Sequence, residues 1–124
     1  MKTTNMFFSV PILLLCTVSS AIAQSDKTQR AIGIKTQTIK VSGTCSMDKR
    51  RIETSAYSID GVKSATWEQG TQILKVTYSA FKKETADNVQ KRVAAAGNDT
   101  EKYRADDIVY QKLPDCCHYQ RKQL

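Results

Sequence analysis

The chain has 124 residues, of which 40% are hydrophobic and 25% are charged, and its formal net charge is +7 at pH 7. This length allows one domain with a modest core. The sequence has no glycine-rich phosphate loop and no histidine beside a suitable nucleophile and orienting acid, so we expect a protein that is not an enzyme.

Residues 1–23 have the pattern of a secretory signal peptide. Lys2 gives a positive start, residues 6–18 are nearly all apolar, and Ala-Ile-Ala at 21–23 forms a cleavage site before Gln24. The apolar run is too short to span a bilayer comfortably. We therefore expect a periplasmic or secreted monomer without a transmembrane segment after signal removal. Export also argues against nucleic acid as the partner of the basic surface.

The next stretch predicts a lead-in, a strand and a turn. Residues 24–34 are polar and lack a sustained period, so we expect a flexible lead-in. Ile39 and Val41 alternate with polar neighbours, which predicts a strand over residues 35–42. Gly43 then allows a tight turn.

A cysteine follows this turn, just before a helix predicted over residues 48–58. The helix is predicted because apolar residues recur at helical spacing, at Ile52, Ala56 and Ile59. A thiol at a helix start faces free backbone N–H groups and the positive end of the helix dipole, so the thiolate of Cys45 is favoured. The thiolate is the form that binds soft metals.

Charged residues surround this helix start. Asp48 is expected to cap the helix by accepting from N–H groups of its first turn, rather than to bind a metal. Three basic residues should stabilise the thiolate and are candidates for docking an acidic partner: Lys49, Arg50 and Arg51.

The rest of the chain up to residue 105 completes the element order β-α-β-β-α-β, which is the α+β, ferredoxin-like split βαβ arrangement. The remaining predicted elements are a strand at 62–68, a hairpin turn at 69–70, a strand at 71–78, a helix at 84–96 ended by Gly97, and a short strand at 100–105. The predicted domain therefore covers residues 35–105.

Residues 106–124 form a C-terminal helix and tail in this interpretation. Asp106 or Asp107 can cap a helix that Pro114 stops, and residues 120–124 should fray. The last strand should lie antiparallel to the first and end at the pole opposite Cys45. A strand spans roughly 17–20 Å and a ten-residue helix about 15 Å, so a returning helix can carry the tail back to that cysteine.

Removal of the signal leaves three cysteines, an odd number that excludes complete pairing within one chain. The candidate ligand set is Cys45, Cys116, Cys117 and His118. Three sulfurs and one nitrogen suit Zn²⁺ and also Cu(I) or Hg(II). Met47 is an additional thioether candidate. Adjacent cysteines do not easily bind one ion together, so one of them could point elsewhere. A disulfide from Cys45 to Cys116 or Cys117 is the main alternative.

The loop resembles that of the heavy-metal-associated domain family, which includes copper chaperones and periplasmic mercury-binding proteins. The family pattern is Gly-Met-Thr-Cys-x-x-Cys, and this chain has Gly43-Thr44-Cys45-Ser46-Met47-Asp48, with Asp48 in place of the second cysteine. The resemblance implies a ferredoxin-like fold, a soft metal cargo with Cu(I) favoured and Zn or Hg as alternatives, and metal trafficking or sequestration. It also implies an acidic metal-transport or acceptor protein as partner. The alternative is a degenerate structural or interaction module with disulfide-bonded cysteines.

Overall fold

The computed structural model describes residues 33–121. In this range the helices and strands are β1 (Ile34–Lys40), α1 (Ser46–Tyr57), β2 (Val62–Glu68), β3 (Ile73–Ser79), α2 (Thr85–Ala95), α3 (Asp107–Gln111) and a 3-10 turn at Asp115–Cys117. The first three strands and two long helices begin and end within two residues of their predicted bounds. The predicted signal peptide and residues 24–32 of the predicted lead-in lie outside the described residues.

The strands form one antiparallel sheet in the order β1-β3-β2. The central strand places Leu74 opposite both Ile39 of β1 and Trp67 of β2. All three side chains are fully buried. Because side chains alternate along a strand, this register turns the same face of each strand towards the core.

The fourth strand predicted at residues 100–105 is much shorter than expected. Only an isolated antiparallel bridge joins Thr100 to Val41, next to β1. The N–H of Thr100 donates to the carbonyl of Tyr103 at 2.8 Å. This local turn ends the pairing after one residue, so the predicted position and direction are correct and the predicted length is wrong.

Both long helices pack on one face of the sheet. Helix α1 contributes Ile52 and Ala56, and α2 contributes Val89 and Val93, and all four side chains are fully buried against the apolar face of the strands. Burial of a side chain of this kind stabilises the folded state by about 1.5–3 kcal/mol. No helix within residues 33–121 is both long enough and apolar enough to cross a bilayer.

The end of α2 fits the C-terminal tail closely. Gly97 has φ +113°, as the predicted C-cap glycine requires, and the N–H of Asn98 donates back to the carbonyl of Val93 at 3.3 Å. A Cβ atom on Gly97 would lie 2.9 Å from Cδ2 of Leu113. The helix end and the tail are therefore in direct contact at this glycine.

Substitution Gly97→Ala is expected to lower the free energy of unfolding by about 2–3 kcal/mol, because it combines a disfavoured φ with overpacking against Leu113. Urea unfolding followed by circular dichroism measures this change. Gly70→Ala is the matched control, since a Cβ there would meet nothing within 4 Å. Equal stability of the two variants would contradict the close packing at Gly97.

Candidate metal centre

Three thiols that are far apart in the sequence lie close together in the structure. Cys45 is the N-cap residue of α1, and Cys116 and Cys117 lie in the 3-10 turn of the tail. The Sγ atom of Cys45 lies 3.1 Å from that of Cys117 and 3.6 Å from that of Cys116. The Sγ atoms of the adjacent pair are 3.8 Å apart. The tail therefore returns to the start of α1, as the strand and helix lengths predicted.

The spacing of these sulfurs suits a single ion. The three Sγ atoms lie within 3.8 Å of one another, so Cys45, Cys116 and Cys117 could together supply three thiolate ligands to one ion, with metal–sulfur bonds of about 2.3 Å for Zn²⁺. Both cysteines of the adjacent pair point to this centre, although the sequence suggested that one could point elsewhere. All three are free thiols, with sulfurs much farther apart than the 2.05 Å or so of a disulfide bond.

Cys45 is the sulfur best placed to be a thiolate. Its burial raises the pKa of the thiol, but hydrogen bonds from the Cys117 and Cys116 thiols and from the backbone N–H groups of Asp48 and Met47 outweigh this and hold the pKa below its ordinary value. The N–H donors belong to the first turn of α1, where the helix dipole also favours negative charge.

Cys117 has the opposite environment. Its side chain is fully buried and packs with Leu113 and Tyr119. Burial, and donation of its proton to the Cys45 sulfur, raise the pKa of the Cys117 thiol to about 12. The guanidinium of Arg51 has the opposite, smaller effect, with Nη2 3.7 Å from Sγ of Cys117. Binding of a thiophilic ion to all three sulfurs must therefore displace the proton of Cys117.

Asp48 holds the loop before α1 in place through hydrogen bonds of its carboxylate. Its side chain is fully buried, and Oδ2 accepts from the backbone N–H of Thr44 at 2.8 Å. Its Oδ1 accepts from Arg51 at 2.7 Å and from the Asn98 amide at 2.9 Å. The predicted capping of the first helical turn is therefore wrong in detail, because the carboxylate binds the residue before Cys45. Its Oδ2 also lies 3.8 Å from Sγ of Cys45.

Gln72 holds the same loop from the β2–β3 turn, and the sequence gave no signal for it beyond the neighbouring hairpin. Its side-chain amide accepts from the N–H of Gly43 at 2.8 Å and donates to the Gly43 carbonyl at 2.7 Å. Gln72 also takes the positive φ of this turn, +60°, rather than Gly70. A Cβ on Gly43 would lie 3.0 Å from the ring of Trp67 and 3.0 Å from Cβ of Asp48, so the loop packs tightly on both residues here.

Two further candidate ligands differ in position. Met47 is 49% exposed, and its Sδ lies 3.7 Å from Sγ of Cys116 at the rim of the site. His118 is not part of the three-sulfur group found among residues 33–121. Its Nε2 lies 3.2 Å from the carbonyl of Tyr110, and the two rings are in contact with centroids 5.1 Å apart.

The three basic residues at the start of α1 have different surroundings. Lys49 donates to Glu53 and to the carbonyl of Trp67, both at 2.6 Å. Arg50 is exposed to solvent. Arg51 reaches the site itself, because its guanidinium contacts both Asp48 and the sulfur of Cys117.

The helix that carries the tail is half the length that was predicted. Asp106 caps α3 by accepting from the N–H groups of Ile108 and Val109, as expected. However, α3 ends at Gln111, and a 3-10 turn after Pro114 completes the return. The cysteines reach Cys45 because the two short helical segments together replace the expected ten-residue helix.

Polar contacts anchor the end of this tail. The Tyr119 hydroxyl donates to the Gly97 carbonyl at 2.8 Å and accepts from the N–H of Asp99 at 2.8 Å. Arg121 binds the Asp99 carboxylate twice, at 2.9 and 2.7 Å. The expected fraying of residues 120–124 is therefore wrong at Arg121, and residues 122–124 lie outside the described range.

Acid should weaken this anchor. Burial raises the pKa of Asp99, but hydrogen bonds from Arg121 and from the N–H of Ala105 outweigh it, so the folded-state pKa lies below its ordinary value. The stabilising contribution is therefore complete above the unfolded pKa of about 3.9 and is lost as pH falls through the lower folded value.

Urea unfolding of the metal-free protein between pH 6 and pH 2 measures this dependence. We expect Asp99→Asn to be less stable than the parent at pH 6 and to lose less stability on acidification. Asp106→Asn is the matched control, because Asp106 is exposed and caps only α3. An unchanged acid profile in Asp99→Asn would show that the Arg121 pair does not anchor the tail.

Comparison with known proteins identifies the fold. No protein-family profile and no curated protein sequence matches the chain. A solved structure titled CopZ metallochaperone is 24% identical, with a TM-score of 0.50, over 53% of this chain and 98% of that one. The water-soluble region of the P-type ATPase CopA from Bacillus subtilis is 28% identical, with a TM-score of 0.48, over 54% of this chain and 44% of that one. The likeness to CopZ confirms the predicted α+β, ferredoxin-like fold.

Proposed function

We propose that this protein is an exported carrier that binds one soft metal ion on Cys45, Cys116 and Cys117. The ion is cargo for trafficking or sequestration, and the protein catalyses no reaction. The observation that carries the proposal is the convergence of three free thiols, with mutual Sγ distances of 3.1, 3.6 and 3.8 Å. The matching fold of a structure titled metallochaperone is consistent with this role.

The ligand chemistry favours Cu(I) over Zn²⁺, with Hg²⁺ as the other soft candidate. Thiolates select soft ions, whereas structural Zn²⁺ sites are almost always four-coordinate. Among the described residues the three-sulfur group includes no nitrogen ligand, and His118 contacts Tyr110 instead. Met47 is the nearest additional soft donor, through its contact with Cys116.

Features of the sequence support the proposed location and partner. The signal-peptide pattern of residues 1–23 supports export to the periplasm or outside the cell. The exposed Arg50 and the partly exposed Lys49 are close to Cys45 in the chain, and positive charge there favours docking of an acidic transport or acceptor protein.

A structural module stapled by a disulfide is the second candidate, and one observation favours it. The Sγ atoms of Cys45 and Cys117 are only 3.1 Å apart, so oxidation would need little movement to join them. Such a protein would keep one free thiol on Cys116 and would bind no metal.

The test is a metal and thiol count on the mature protein, purified anaerobically from the exported fraction, followed by titration of the reduced protein with Cu(I), Zn²⁺ and Hg²⁺. One bound ion per chain with three protected thiols would support the carrier and identify the ion. One free thiol, no bound metal and no uptake of any of the three ions would overturn the carrier and favour the stapled module.

A further inference from the structure

The three sulfurs of the site differ in their access to solvent. Cys117 is fully buried, Cys45 is partly buried and Cys116 is exposed. An acceptor that approaches the occupied site can therefore reach the ion beside Cys116 more easily than beside Cys117.

The sulfurs also differ in how firmly they are held. The Cys117 sulfur lies against the guanidinium of Arg51 and inside an apolar cluster, and Cys45 is fixed at the first turn of α1. The hydrogen-bond contacts of the Cys116 sulfur in the described residues are to other sulfurs, in Cys45, Cys117 and Met47.

Besides these sulfur contacts, a main-chain hydrogen bond ties Cys116 to the loop. The Thr44 hydroxyl donates to the carbonyl of Cys116 at 2.5 Å. Rotation about χ1 of Cys116 moves its sulfur without breaking that hydrogen bond. The exposed thiol can therefore leave the ion while the turn that carries it stays in place.

A second exposed sulfur, the thioether of Met47, lies beside the thiol of Cys116. The Met47 thioether is 49% exposed and adjoins the Cys116 sulfur at 3.7 Å. The sulfurs therefore run from buried Cys117 through Cys45 to exposed Cys116 and Met47. This arrangement gives the site one closed side and one open side.

We propose that Cys116 is the exit ligand of the site, and that Cys45 and Cys117 retain the ion until it is transferred. This inference rests on the proposed function and assigns the side of the site from which the ion leaves. The acceptor carries a thiol, whose sulfur forms a bond to the ion as the bond from the ion to Cys116 breaks. The proton lost by the acceptor thiol passes through solvent to Cys116, and the oxidation state of the ion does not change.

The matched variants Cys116→Ala and Cys117→Ala test this route, with Cu(I) as cargo and bathocuproine disulfonate as the competing chelator. We expect Cys116→Ala to bind one Cu(I) with an affinity no more than about tenfold weaker than the parent. It should release Cu(I) to excess chelator at least tenfold faster, because attack on the ion meets one ligand fewer. X-ray absorption should show two sulfur ligands instead of three. Cys117→Ala should lose at least a hundredfold in affinity.

Equal losses of affinity in the two variants, or transfer from Cys116→Ala no faster than from the parent, would overturn the assignment of an exit ligand. Thermal unfolding of the metal-free variants checks the fold, and alanine suits the apolar surroundings of Cys117. If Cys117→Ala does not fold, the transfer rate of Cys116→Ala against the parent decides alone. A parent protein that binds no Cu(I) would instead overturn the proposed function.

Discussion

Replacement of Cys45 by serine is expected to abolish stoichiometric binding of Cu(I), with a loss of affinity of at least a hundredfold. Cys45 is the centre of the thiol group, with the other two sulfurs at 3.1 and 3.6 Å, and hydrogen bonds lower the pKa of its thiol. A serine hydroxyl is a harder donor that stays protonated at neutral pH and does not replace a thiolate for a soft ion. Anaerobic titration against a chromophoric chelator measures the affinity.

The same substitution should leave the fold intact. The loop is held by Asp48 through Thr44 and by Gln72 through Gly43, and these hydrogen bonds do not use the Cys45 sulfur. We expect the free energy of unfolding of the metal-free, reduced protein to change by less than about 1 kcal/mol.

Ser46→Ala is the control for Cys45→Ser, because Ser46 is the exposed neighbour and should leave metal binding unchanged. Undiminished Cu(I) binding by Cys45→Ser would contradict the central role of its sulfur. A stability loss of about 2–5 kcal/mol in the air-oxidised protein, with no metal binding in the parent, would fit the stapled module instead.

Substitution Asp48→Ala is expected to lower the free energy of unfolding by about 3–5 kcal/mol, which is the usual cost of removing one partner of a buried ion pair. The Asp48 side chain is 0% exposed and that of Arg51 is 21% exposed, and their charged atoms are 2.7 Å apart. Alanine would leave Arg51 unpaired and remove the acceptor of the Thr44 N–H. Urea unfolding of the metal-free protein measures the loss.

Two further variants test whether the effect of Asp48→Ala comes from its buried carboxylate. Asp60→Ala removes an ion pair with Lys82 in which the carboxylate side chain is 84% exposed, so its effect should be much smaller than that of Asp48→Ala. Asp48→Asn keeps the size of the side chain but places an amide donor against Thr44, Arg51 or Asn98, which are donors themselves, so it should also be destabilising. A nearly neutral Asp48→Ala would show that the buried carboxylate does not hold the loop.

The local elements of this protein could be predicted because their signals are local. The alternation around Ile39, the helical spacing of Val89 and Val93 and the glycine at position 97 each indicate one backbone conformation within a few residues. Two elements are shorter than predicted: the fourth strand, which Thr100 ends after one bridge by turning back to Tyr103, and the helix α3, which ends at Gln111.

The site was only partly predictable. Backbone geometry fixes the distances along a strand and a helix, so the sequence predicted that a returning tail could reach Cys45 with Cys116 and Cys117, but not that the tail turns back. The separation of His118 from the three sulfurs was not predictable, because it depends on the ring contact with Tyr110.

Residue type and spacing along the chain were sufficient to predict the βαββα order, the thiol at the start of α1 and the cysteine pair in the tail. The direction of the tail, and the contacts that hold it and the loop, depend on tertiary packing. Asp48 binds Thr44, Arg51 and Asn98, and Gln72 binds Gly43, across separations of up to 50 residues. Polar contacts of this kind have no periodicity in the sequence. They form where packing brings a donor and an acceptor together away from water, which is a property of the folded chain.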